Sequence, residues 1–198
     1  MVRIGIFSAQ GAVSEHASIL KKTFNELGIE GEVVFVRKKE DIQFVDGLII
    51  PGGESTTISR MLKKTGVGEE IKRRVKEESL PVMGTCAGSI LLAKIIEDKE
   101  ERLETLSLMD MSIERNAFGR QRESFEVDVN VKDFSKPFHA VFIRAPVISK
   151  IWGECESIAT FENKIIAAKQ GNLLALSFHP ELTNDTRFHR LFLSFHYS

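Results

Sequence analysis

Apolar and polar positions alternate along the chain in blocks that predict strands and helices in turn. Residues 2–8 form a short apolar run broken at Gln10-Gly11, which predicts a buried strand. Residues 14–27 follow with helical spacing, with Ser14 placed to cap the helix and Gly28 to stop it. Further strands are predicted over 32–36, 46–50 and 80–84, with helical patterns over 56–64, 69–78 and 87–96 between and after them. Strands alternating with helices point to a doubly wound α/β fold, a mostly parallel sheet flanked by helices. The second half changes character. Residues 125–131 alternate strictly, as a half-buried, antiparallel strand would. Strand-like runs over 140–143, 157–161, 164–168 and 173–178 follow, and 186–195 reads as a closing helix.

No repeat, low-complexity tract or linker divides the 198 residues, so one domain over 1–198 is expected. Twenty-seven Lys and Arg balance 28 Asp and Glu, which argues against nucleic acid as the main ligand, since phosphate binding needs a basic surplus or stripe. No apolar run approaches the roughly 20 residues of a membrane helix, and the start lacks signal-peptide architecture, so the expected setting is cytoplasmic. Two cysteines make neither a disulfide framework nor a structural zinc site by themselves.

Three segments carry chemistry. Gly84-Thr85-Cys86-Ala87-Gly88 lies between an apolar strand and an apolar helix, the setting of a nucleophile elbow. The tight turn requires small neighbours, a helix amino terminus favours an anionic sulfur, and the Ala87 N–H is offered to an oxyanion. Cys155, among Glu154 and Glu156, has no such setting and reads as structural. His179-Pro180-Glu181 follows the strand over 173–178; proline holds His179 extended, so that Glu181 can orient the imidazole. Pro51-Gly52-Gly53-Glu54-Ser55 ends a strand and opens a helix, with glycines that let backbone N–H groups approach an anion. Each segment also has a plainer reading: an inert buried thiol, a surface turn, a capped helix start. For Glu54 in particular, a charge at the helix amino terminus serves equally well.

These segments in this order resemble the class I, or triad, glutamine amidotransferases, a flavodoxin-like α/β group. Gln10-Gly11-Ala12-Val13-Ser14-Glu15-His16, Arg115-Asn116-Ala117-Phe118-Gly119-Arg120-Gln121 and Phe142-Ile143-Arg144-Ala145-Pro146 narrow the resemblance to the branch formed by glutaminase subunits of pyridoxal 5′-phosphate synthase. The resemblance implies hydrolysis of L-glutamine to L-glutamate and ammonia through a thioester. Ammonia is then supplied to a separate synthase subunit in a hetero-oligomeric complex, and the glutaminase step uses no metal or cofactor. It implies Cys86 as nucleophile, His179 as base and acid, and Glu181 as the group that orients His179. Gly53, Glu54, Ser55, Arg115, Ile143 and Arg144 would bind glutamine, and Gly52, Gly53 and Ala87 would face the oxyanion. The segment from Gln10 to His16 reads as site-organising or partner-facing, with His16 open to being a simple helix residue. His189 and His196 read as packing or solvated residues. The rival readings are a free-standing cysteine hydrolase of similar fold, an amidotransferase subunit serving another acceptor, and a non-catalytic binding module, against which the presence of Cys86, His179 and Glu181 argues.

Overall fold

The computed structural model describes residues 1–97, 103–115, 117 and 123–197. The first half is built from β1 (Val2–Phe7), α1 (Val13–Leu27), β2 (Gly31–Val36), α2 (Lys39–Ile42), β3 (Gly47–Ile50), α3 (Ser55–Thr65), α4 (Val67–Glu78), β4 (Val82–Thr85) and α5 (Ala87–Leu92). The second half is β-rich: β5 (Ala93–Ile96), β6 (Met109–Glu114), β7 (Ser124–Val129), β8 (Phe138–Ile143), β9 (Val147–Ile151), β10 (Glu156–Phe161), β11 (Lys164–Gln170) and β12 (Leu173–Leu176). A single 3-10 turn (Pro180–Leu182) and the helix α6 (Arg187–Ser194) follow, before a last turn at Phe195–Tyr197.

The large sheet runs β2-β1-β3-β4-β12-β11-β9-β6-β5, with β10 on β11. Its first five strands are mutually parallel. β11 turns back antiparallel on β12, and β9 is antiparallel to both β11 and β6. β7 and β8 form a separate antiparallel pair. The central parallel strands β3, β4 and β12 are buried along their whole length, which is why they read as short apolar runs, whereas β2 at the edge is only partly buried. Successive residues feed opposite cores: Leu48 and Ile50 face one with Ile58, Leu62 and Leu91, whereas Ile49 faces the other with Leu20, Phe188 and Phe192.

Three expectations need correction. The helix read over 87–96 stops at Leu92, and Ala93–Ile96 turn into a strand parallel to β6. The sheet edge there offers a backbone partner that local periodicity does not register. Ser14 is not the cap of α1, because the helix begins a residue earlier with Ala12 at the N-cap, and the Ser14 hydroxyl donates to Glu15 instead. Strands β6 and β9 were not anticipated at all. Gly28 does end α1, in the left-handed conformation at φ 64°.

Strand order reverses at β1: one crossover leads to β2 on one side, the next to β3 and β4 on the other. In such sheets the crevice beyond the carboxyl ends of the strands, at the reversal, is where ligands bind. The segments after β1, β3, β4 and β12 carry Gly11, Gly52, Cys86 and His179 respectively, so the topology alone gathers these residues at one end of the sheet.

Candidate active site

A cleft of about 530 Å³ opens at this end of the sheet. Cys86, Ala87, His179, Gly52, Gly53, Glu54, Ser55, Arg115, Ile143 and Arg144 all line it. Every expected site residue therefore reaches one cleft except Glu181, which is buried behind His179. Gly11 and Ala12, from the segment read as site-organising or partner-facing, line it as well, as do Ile90 and Leu182, which were not among the expected site residues. The Gln10-Gly11 break after β1 was the signal for the first two. Of the segment from Arg115 to Gln121, Asn116 and residues 118–121 lie outside the described residues.

The elbow is built by the join of β4 to α5. Cys86 adopts φ 49° and ψ −108°, a conformation that costs a non-glycine residue energy and persists only where surrounding structure enforces it. The enforcement is visible. The Cys86 N–H donates to the Leu176 carbonyl at 2.8 Å, and the Cys86 carbonyl accepts from the Ser89 hydroxyl at 2.7 Å. A Cβ on Gly84 would sit 2.5 Å from the Gly88 backbone, and one on Gly88 would sit 2.0 Å from the Ile50 carbonyl oxygen. Both positions thus admit no side chain. The sulfur projects from the start of a helix whose first N–H groups have no partner within the helix, and lies 3.7 Å from the Ile143 carbonyl oxygen.

His179 is placed by its own backbone and by a phenylalanine cluster. Its N–H donates to the Val141 carbonyl at 2.8 Å. The preceding Phe178 is fully buried, in ring contact with Phe138, Phe142 and Phe188. The imidazole interacts with Cys86 on one side, and its Nδ1 lies 2.7 Å from Glu181 Oε1 on the other. Burial works against the imidazolium, but the interactions with Cys86 and Glu181, with the charges behind them, raise its pKa to about 10. Burial likewise opposes the Glu181 carboxylate, and is outweighed by the hydrogen bond from His179 and its positive charge, which hold its pKa below the ordinary carboxylate value. Cys86, His179 and Glu181 thus form a line leading from the cleft into the protein, with exposures of 8%, 7% and 5%.

The glycine loop closes over this line. A Cβ on Gly52 would meet His179 Cε1 at 2.5 Å and Cys86 Cβ at 3.3 Å, so the loop backbone lies directly against both side chains. Gly53 has φ 149°. Glu54 is the N-cap of α3: its carboxylate accepts from the Thr56 N–H at 2.8 Å and the Thr57 N–H at 2.6 Å. Partial burial disfavours its charge, but those donors and the Thr57 hydroxyl prevail and bring its pKa to about 2. The helix-charge reading of Glu54 is therefore realised, at a residue that also borders the cleft. Arg144, at φ 46°, has a largely exposed side chain 4.0 Å from Glu123.

Cys155 offers a contrast. Burial, then Asp110 and Glu156, push its thiol up to about 11, which leaves it protonated and inert at neutral pH.

The chain as a whole resembles known proteins. Residues 6–196 match the SNO glutamine amidotransferase family. A Staphylothermus marinus protein called pyridoxal 5′-phosphate synthase subunit PdxT is 51% identical, with 97% of each chain covered. A protein of the same name from Archaeoglobus fulgidus is 50% identical, again over 97% of each chain. A crystal structure described as a glutamine amidotransferase superposes with a TM-score of 0.89 at 44% identity, covering 98% of this chain and 99% of its own. With the match running from the first strand to the last turn, and the elbow, glycine loop and histidine within it, the chain belongs to the SNO glutamine amidotransferase family.

Proposed function

We propose that the chain hydrolyses L-glutamine to L-glutamate and ammonia, with Cys86 as nucleophile, His179 as acid and base, and Glu181 as the orienting carboxylate. The ammonia passes to a synthase subunit that makes pyridoxal 5′-phosphate, in a hetero-oligomeric complex. The observation that carries the chemistry is the line Cys86–His179–Glu181, begun at a strained elbow and opening into a cleft. The two relatives named as subunits of pyridoxal 5′-phosphate synthase support the partner.

With its pKa raised to about 10, His179 enters the reaction as an imidazolium, and the nucleophile the reaction requires is the sulfur of Cys86 as thiolate. Sulfur attacks the side-chain carboxamide carbon of glutamine, and the carbonyl oxygen takes the negative charge. Backbone N–H groups of Gly52, Gly53 and Ala87 are the donors for that oxygen; one such donor contributes about 3 kcal/mol to lowering the barrier. His179 gives its proton to the amide nitrogen, the C–N bond breaks, and ammonia leaves a γ-glutamyl thioester on Cys86. Neutral His179 then takes a proton from water. The hydroxide adds to the thioester, the C–S bond breaks, and glutamate departs with the imidazolium–thiolate pair restored. Arg115 and Arg144 at the cleft supply cations for the α-carboxylate of glutamine, and Gly53, Glu54, Ser55 and Ile143 shape the wall that holds it.

The test is ammonia release from L-glutamine by the purified chain, alone and with a pyridoxal 5′-phosphate synthase subunit added. Stimulation by that subunit, abolished in Cys86→Ala, is the expected result. Turnover indifferent to the subunit would reassign the partner, and turnover surviving in Cys86→Ala would overturn the mechanism.

A further inference from the structure

Behind Glu181 lie two histidines with no part in the reaction just described. His16, on α1, and His189, on α6, are both fully buried. His16 Nε2 stands 3.4 Å from Glu181 Oε2 and 3.2 Å from the Thr85 hydroxyl, the residue before Cys86. On its other side, His16 Nδ1 lies 3.3 Å from His189 Nε2. Glu181 Oε1 is taken up by His179, whereas Oε2 is a buried oxygen without a well-formed hydrogen bond among the described residues. Groups from four elements thus meet at His16: Glu181 and His179 from the segment after β12, Thr85 from β4, His189 from α6, and Glu15 from α1 itself.

Burial drives both rings towards the neutral form; for His16, Glu181 and Glu15 pull the other way without prevailing, and His179 adds to burial. A neutral imidazole carries one N–H, so the protons can run in two directions. In the first, His189 Nε2–H donates to His16 Nδ1, and His16 Nε2–H is directed to Thr85 Oγ1 and Glu181 Oε2. The ring nitrogen left over is His189 Nδ1, a bare lone pair. In the second, His16 donates through Nδ1 to His189, and His189 Nδ1–H is buried with no acceptor among the described residues. The second arrangement also turns a nitrogen lone pair towards a carboxylate oxygen at 3.4 Å. In the second arrangement the Thr85 hydroxyl would donate to His16 Nε2, so each arrangement leaves one buried hydrogen without an acceptor among the described residues. The repulsion between the Nε2 lone pair and the Glu181 carboxylate decides for the first.

We propose that His16, held at Nδ1 by His189, is a positioning residue of this site: its Nε2–H faces the distal oxygen of Glu181 and the Thr85 hydroxyl, and fixes the carboxylate that orients His179. The inference rests on the role given above to Cys86, His179 and Glu181. It ties the elbow, the first helix and the last helix to the orientation of one imidazole. It also accounts for a polar ring on the buried face of α1, where Ala17, Leu20 and Phe24 are its apolar neighbours.

The test combines His16→Leu, His16→Gln and His189→Leu, with ammonia release measured in the presence of the synthase subunit. His16 does not line the cleft, so His16→Leu should lower kcat about 10- to 100-fold, the cost of removing an outer hydrogen-bond partner, with KM for glutamine little changed. His16→Gln restores a donor where Nε2 stood and should recover most of the loss. His189→Leu removes the hydrogen bond that holds His16 at Nδ1, loosens the ring, and should lower kcat in the same sense but by less than His16→Leu. Nitrogen-15 shifts of the unaltered chain should report His16 as neutral and protonated on Nε2, a reading that needs no variant to fold. Unchanged kcat in His16→Leu, a Nδ1–H tautomer or a cationic His16 would each overturn the proposal. Activity surviving in Cys86→Ala would instead remove the triad on which it rests.

Discussion

Replacing Gly11 by alanine should separate the geometry of the glycine loop from the stability of the fold. Gly11 has φ 95°, and a Cβ built on it would lie 1.6 Å from the Gly52 carbonyl oxygen. The two backbones would have to part by about 1.4 Å before that contact reached 3.0 Å. Neither atom belongs to a flexible side chain that could swing away. Gly52 in turn lies against His179 and Cys86, so the displacement falls on the backbone N–H groups proposed as oxyanion donors. Misplacement by about 1 Å costs on the order of 10²-fold in rate, and kcat of Gly11→Ala should fall by that factor or more. The matched control is Gly28→Ala. Gly28 is also left-handed, at φ 64°, but a Cβ there meets nothing within 4 Å. Both variants bear a conformational cost of about 1–2 kcal/mol, which in a chain of this length lowers Tm by about 2–8 °C. Only Gly11→Ala should lose turnover. Steady-state ammonia release at saturating glutamine, beside thermal unfolding of both variants, makes the comparison. If Gly11→Ala stays within about threefold of the unaltered kcat, far short of the misplacement cost, the Gly11–Gly52 contact does not position the loop. An equal loss in Gly28→Ala would assign the effect to stability.

Cys86→Ala should lower the pKa of His179 from about 10, because burial then opposes the imidazolium with only Glu181 against it. A fall of about one unit or more in an NMR titration of the ring is expected, and an unmoved value would deny the Cys86–His179 pairing. Glu54→Ala removes the N-cap of α3 and should cost about 1 kcal/mol in denaturant unfolding at pH 7. Since the folded pKa of Glu54 is depressed to about 2, its contribution is full above the unfolded value near 4.5 and disappears as pH falls towards 2, so the two proteins should converge in stability with acid. A difference that persists undiminished at pH 2 would contradict the role of the ionised carboxylate. Phe178→Ala opens a cavity among Phe138, Phe142 and Phe188 and should cost about 3–5 kcal/mol. Phe178→Leu, which keeps more of the volume, should cost less and retain measurable turnover; equal losses would show that the cluster does not discriminate volume at this position.

What the chain discloses about itself divides along a physical line. The elbow, the glycine loop and His179-Pro180-Glu181 were legible because each demands something of the backbone within five residues: no side chain at Gly84 and Gly88, an open approach at Gly52, a non-helical residue before Pro180. Such demands leave a local mark in residue type. The central parallel strands were legible for a related reason, since burial on both faces requires a continuous apolar run. The remainder depends on partners distant in sequence. Ala93–Ile96 continue the apolar spacing of α5 and become a strand only because β6 supplies an edge, a choice that short apolar runs do not encode locally. The residues of β6 and β9 take their pattern from one another and from β11, across a register shift between Ser112 and Ile113 that interrupts regular alternation. His16 is the sharpest instance. On α1 it occupies a buried-face position that any core residue could fill, and its meaning comes from Glu181, Thr85 and His189, the last of them 173 positions away. A nucleophile held by backbone strain announces itself in the sequence, whereas an imidazole that orients a carboxylate through space can be identified only once the fold has placed the two side by side.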